Sequence, residues 1–159
     1  MKALQKTSFG VIMLGILFFQ ACNKSLVVKN VNYAQQIESV LIPDEDGTVT
    51  DIRYGISYSI LPFQFEEFED SSSVQVTEVR MIRNNQGYYF ITADRFKHVY
   101  VMAPKRGELK LEKKILVDEE GLLNPAFNWR EPVVQLINDS NKVVILLNEK
   151  GIFKGEVSS

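Results

Sequence analysis

The chain has 159 residues, 45% of them hydrophobic, with 18 basic and 20 acidic side chains and a formal charge of −2. That balance argues against a nucleic-acid partner, which usually leaves a basic footprint on the protein. One cysteine and one histidine leave no intrachain disulfide and no Cys/His metal spacing.

The first element is apolar. Lys2 and Lys6 precede the eleven-residue run Phe9 to Phe19, which as a helix rises about 16 Å against a hydrocarbon core of about 30 Å. A basic start, a short apolar middle and a small residue at the end is the layout of a secretory signal peptide. The run closes as Phe19-Gln20-Ala21-Cys22, and Cys22 is the lone cysteine. This stretch resembles the lipobox of bacterial lipoproteins, with Phe19 where that family most often has Leu. The resemblance covers residues 1–22. It implies cleavage between Ala21 and Cys22, diacylglycerol on the Cys22 sulfur and acylation of the new amino terminus. Several acyl chains anchor firmly where one is marginal, at about 0.8 kcal/mol per buried methylene. The expected organisation is a signal peptide over 1–21, a lipidated tether over 22–25 and one β-rich domain over 26–159. In enteric lipoproteins an Asp after the cysteine marks inner-membrane retention. Asn23 stands there instead, so the resemblance implies the outer membrane. Asn23-Lys24-Ser25 lacks the acidic residues of surface-displayed bacteroidete-type lipoproteins, which favours the periplasmic face.

Asn32 and Gln35 fit a capping box, and Tyr33, Ile37, Val40 and Leu41 fall on one helical face. This predicts a helix of about two turns that gives way to a strand near Val40; the competing reading is a strand over 38–43 ending at the turn Asp44-Glu45-Asp46-Gly47. Ile52, Tyr54, Ile56, Tyr58 and Ile60 then alternate with smaller or polar residues, the period of a half-buried strand. The phase slips at Leu61-Pro62, which predicts a bulge or bend before Phe63 and Phe65. Further strands are expected over 74–83, 88–92, 99–102, 109–117, 133–137 and 143–147, with a last short one after Gly151. Asn- and Gly-bearing turns separate them. Leu109, Leu111, Ile115 and Val117 read as one apolar face of their strand. The fold class is therefore mostly β: an antiparallel meander forming a sandwich or partly open barrel, with one short N-terminal helix.

Signals for chemistry are sparse. His98 is the only base of its kind, and no G-x-S-x-G elbow, phosphate loop or dinucleotide fingerprint is present. Asp44 to Gly47 reads as a turn rather than a calcium loop, which needs more oxygen ligands and a distal Glu. No cofactor and no metal are expected. Two segments stand out. Phe63 to Ser73 interleaves three aromatics with four acids before a serine run, and nominates Phe65, Phe68 and Glu69 as contacts. Asp118 to Pro132 reads as a long loop, a feature that is often functional. It nominates Phe127, Trp129 and Arg130, since Trp and Arg are enriched at binding hot spots. The expected function is a non-enzymatic binding or structural module of the envelope, held to the bilayer by acylated Cys22 and meeting an envelope protein through these loops. The alternative is a small domain that binds or hydrolyses lipid or glycan, with Glu66, Glu67, Glu119 and Glu120 as the available carboxylates.

Overall fold

The computed structural model describes residues 36–139 and 142–154. Ala21, Cys22, the tether and the start of the expected helix lie outside the described residues. Among those described, the chain forms β1 (Ser39–Leu41), β2 (Thr48–Asp51), β3 (Ile56–Ser59), α1 (Leu61–Phe68), β4 (Val79–Arg83), β5 (Tyr89–Ala93), β6 (His98–Lys105), β7 (Glu108–Leu116), β8 (Ala126–Arg130), β9 (Val133–Asn138), β10 (Val143–Asn148) and β11 (Gly151–Ile152). Every pairing is antiparallel. No helix among the described residues is long and apolar enough to cross a membrane.

The first sheet has the order β1-β4-β5-β6-β7, the second β11-β10-β9-β8, and β2 and β3 form a separate hairpin. Both sheets are open, so the architecture is a sandwich and not a closed barrel. The first sheet has packing partners on both faces. Val79, Met81, Tyr89, Ile91, Tyr100 and Met102 pack under the β2–β3 hairpin and α1, together with Val49 and Ile60. Ile82, Phe90, Val99, Val101 and Ile115 pack against Phe127, Val134, Leu136 and Leu147 of the second sheet. A strand covered on both faces loses its polar alternation, and β5 is buried at all five positions.

Four predicted elements change form. The alternation over Ile52 to Ile60 is not one strand. Asp51 Oδ1 accepts the N–H groups of Arg53 (2.8 Å) and Tyr54 (3.3 Å), and Gly55 takes φ 63°. This local turn chemistry wins over the period and leaves Ile52 91% exposed. The expected bend at Pro62 is the first turn of α1, where proline's missing N–H costs nothing. The helix among the described residues is Leu61–Phe68, while the strand expected near Val40 forms at Ser39–Leu41. The expected loop over 118–132 contains β8. In β7 the apolar face divides in two. The register slips between Val101, opposite Lys113, and Met102, opposite Leu111. The extra residue Glu112 turns Leu109 and Leu111 toward the helix side and Ile115 toward the second sheet.

Candidate functional site

The helix side of the first sheet is only partly covered. Five strands at about 4.8 Å span roughly 19 Å, whereas an eight-residue helix is about 12 Å long and the hairpin strands have four residues each. Over β6 and β7 the cover stops, and a groove of about 610 Å³ opens there. Tyr89, Ile91 and Met102 form its floor. Ile56, Ser57 and Tyr58 of β3, with Pro62 and Phe63 of α1, form one side. Pro104, Gly107, Glu108 and Leu109 form the other, and Gly55 closes an end. Size and lining match the usual small-molecule pocket, mostly apolar and aromatic with few polar groups. Glu108 alone among the lining residues carries a carboxyl.

The aromatic rings are braced against one another. Phe63 lies edge-on to Tyr100 at 4.7 Å and to Tyr58 at 6.2 Å, and Tyr54 lies edge-on to Tyr89 at 5.5 Å. Burial pushes the Tyr58 phenol well above its usual range, and the Asp51 charge adds to this. The Asp51 carboxylate accepts the Ser39 hydroxyl and two backbone N–H groups, which fixes the base of the hairpin.

Helix α1 is pinned by two buried polar side chains. Gln64, fully buried, donates to the carbonyls of Asp70 (2.9 Å) and Ser73 (2.8 Å) and accepts from the N–H groups of Gln75 (2.8 Å) and Val76 (3.3 Å). All four of its hydrogen-bonding sites are engaged, and they fasten the serine-rich segment after the helix. Glu67, whose side chain is 1% exposed, accepts from Tyr100 Oη (2.7 Å) and His98 Nδ1 (2.9 Å) on one oxygen and from Lys97 N–H (2.8 Å) on the other. Burial, then the Glu67 hydrogen bond, pushes the Tyr100 phenol far up. The lone histidine is thus part of a clamp that holds α1 on β6. Glu66 points outward to Lys114, 2.8 Å away.

The nominated contacts scatter. Phe127 is 5% exposed and belongs to the core between the sheets; as part of β8 it is inward-facing and offers no contact surface, which corrects the loop reading. Trp129 faces the same way and packs on that core half-buried, while Arg130 is exposed at the strand end. Phe65 is 54% exposed on α1. Phe68 packs edge-on to Phe96 at 5.6 Å beneath the Arg95 guanidinium at 4.8 Å. Glu69 ends the helix with φ 59°, its N–H on the Phe65 carbonyl. None of these six residues lines the groove. Glu119 and Glu120 are exposed in the segment before β8. No group of three or more metal-ligating side chains converges among the described residues.

The groove residues were missed because their signal is tertiary. Ile56, Tyr58, Leu109 and Met102 read as ordinary buried positions of strands. Nothing in their spacing tells that the cover ends above them. Comparison with family models, curated proteins and solved structures finds no match for this chain, so the geometry carries the functional reading.

Proposed function

We propose that the chain is an envelope lipoprotein, anchored by acylated Cys22 to the outer membrane on its periplasmic side, whose β domain is a non-enzymatic binding module for an apolar small molecule. The observation that carries the binding reading is the aromatic-walled groove of about 610 Å³ between α1, the β2–β3 hairpin and the β6–β7 end. Two further features favour binding over hydrolysis. Glycosidic chemistry needs two carboxyl groups across a cleft, and the groove lining supplies Glu108 alone. Glu67 and His98 are engaged with each other in the clamp.

Two measurements test the two halves separately. Wild type should fractionate with membranes and carry a diacylglycerol-plus-acyl mass at Cys22, while Cys22→Ser should remain an unlipidated precursor; an unmodified, freely soluble wild type sinks the anchor. Leu109→Trp, which adds bulk at the groove wall, should lower the affinity for an apolar fluorescent probe at an unchanged thermal midpoint. Undiminished probe binding sinks the groove. A second reading, docking of an envelope protein, draws on the outer face of the second sheet, where Ile137 pairs with Val144 and the two are 39% and 50% exposed. Cross-linking from that face would distinguish it.

A further inference from the structure

We infer that the groove selects single-chain amphiphiles bearing a carboxylate, and that Arg83 recognises the head. This rests on the groove being a ligand site. The register sets Arg83 opposite Tyr89, and Tyr89 opposite Met102, so the three share one row on the groove face of the sheet. Tyr89 and Met102 are groove floor; Arg83 stands one strand further, at the end beneath the hairpin turn. Its guanidinium lies 5.6 Å from the Tyr89 ring and 5.9 Å from the Tyr54 ring. One terminal nitrogen sits by the Gly87 turn, 3.5 Å from where a side chain at position 87 would begin.

Among the described residues no carboxylate forms an ion pair with Arg83, and Asp51 is engaged by Ser39 and its own turn. Two buried side-chain polar atoms among the described residues lack a hydrogen-bond partner, Arg83 Nε and Tyr58 Oη. Tyr58 lines the groove and Arg83 stacks beside its Tyr89 floor, and neither is in the core between the sheets. Native structures rarely leave such donors unpaired without a reason. An acceptor with a negative charge satisfies both the donor and the cation, and the planar guanidinium matches a carboxylate fork to fork. Arg53, the other guanidinium on the Tyr54 ring at 5.8 Å, donates to the Ile37 carbonyl at 2.8 Å; this leaves Arg83 as the unengaged one, which favours a singly charged carboxylate over a doubly charged phosphate monoester. Glu108 at the β7 end repels an anion and so sets the direction: head at Arg83, chain along Ile91, Met102 and Leu109.

The test is calorimetric titration of the full-length chain in zwitterionic nanodiscs, with empty nanodiscs subtracted, using dodecanoate, dodecanol and dodecyl phosphate. Dodecanoate should bind at least about tenfold more tightly than dodecanol, the scale of one charge-assisted hydrogen bond. Arg83→Met should abolish that preference and leave dodecanol affinity unchanged, while Arg83→Lys should keep part of it. Equal wild-type affinity for dodecanoate and dodecanol overturns the head assignment and leaves the groove as an apolar site. Tighter binding of dodecyl phosphate overturns carboxylate selectivity. A preference that survives Arg83→Met overturns the role of Arg83. No binding of any probe overturns the groove reading itself. Should Arg83→Met fail to fold, the wild-type comparison and Arg83→Lys still decide.

Discussion

Replacing Tyr100 by Phe removes a single oxygen from the buried Glu67 node and keeps the ring that packs on Phe63 and Phe96. No cavity opens, so the cost is that of one hydrogen bond to a charged group, about 1.5–3 kcal/mol. Glu67→Gln should cost a similar amount. Its one carbonyl oxygen can face His98 and Tyr100, but its amide then meets the Lys97 N–H, donor against donor. The double variant should be less destabilised than the sum, with a coupling of at least about 1 kcal/mol, because the two share one contact. For a domain of this size 1 kcal/mol moves the thermal midpoint by about 4 °C, so each single variant should melt about 8 °C lower. Urea denaturation with an unchanged slope gives the free energies. A Tyr100→Phe variant within about 0.5 kcal/mol of wild type, or additive effects in the cycle, would refute the shared carboxylate.

Gly121→Ala should be among the most damaging single changes, by more than about 2 kcal/mol in the same assay. Gly121 sits at φ 94° and an added Cβ would lie 2.7 Å from the Arg95 carbonyl oxygen, in the segment tied down by Arg95 N–H to Leu122 O (2.7 Å) and Leu122 N–H to Phe96 O (2.9 Å). Trp129→Ala should lower the midpoint by several degrees, since the indole packs on the core between the sheets; an unchanged midpoint would return Trp129 to the list of surface contacts. Above pH 10 the domain should lose stability. Burial holds Tyr58 and Tyr100 protonated while folded, whereas the unfolded chain ionises from about pH 10. The folded state then binds more protons, and stability falls with rising pH. Tyrosinate absorbance for these two residues should appear only with unfolding. Burial also raises Glu38 from its ordinary value, against the Phe127 N–H and Arg80. Its folded form binds more protons as well, so its contribution falls as pH rises from about 4.5. Glu38→Gln should remove that slope and lower stability at pH 7, because its amide must meet either the Phe127 N–H or the Arg80 guanidinium, read as the difference between the two melting profiles.

Much of the fold is legible in the sequence because it rests on local rules. The alternation and turn chemistry of 74–117 and 133–152 mark strands β4 to β7 and β9 to β11, and antiparallel order follows from turns too short for a crossover. The Asp44-Glu45-Asp46-Gly47 turn follows from its own residues, with Asp44 Oδ1 accepting the Asp46 and Thr48 N–H groups. The lipobox resemblance is likewise a property of adjacent residues, ending at Cys22. Where two local rules compete, sequence alone does not rank them. At 51–55 a side-chain-capped turn defeats a nine-residue alternation. At 61–68 the first-turn tolerance of proline defeats the expectation of a bend.

What only the tertiary structure decided is which faces meet and where cover ends. Phe127 reads as a loop aromatic until β8 pairs with β9 and turns it inward. Leu109 and Ile115 read as one face until the slip at Glu112 separates them. Glu67 reads as one acid among four, yet it meets Lys97, His98 and Tyr100, about thirty residues away. Arg83 reads as a charge beside a turn, and Tyr54, Tyr58 and Tyr89 as strand aromatics. Bringing Arg83 and Tyr54 onto Tyr89, and Tyr58 and Tyr89 into one groove, needs a hairpin laid over a sheet wider than itself. Periodicity reports whether a side chain has a buried face, which is a property of its own strand. The occupant of that face, another side chain or a ligand, depends on chain segments far apart in sequence.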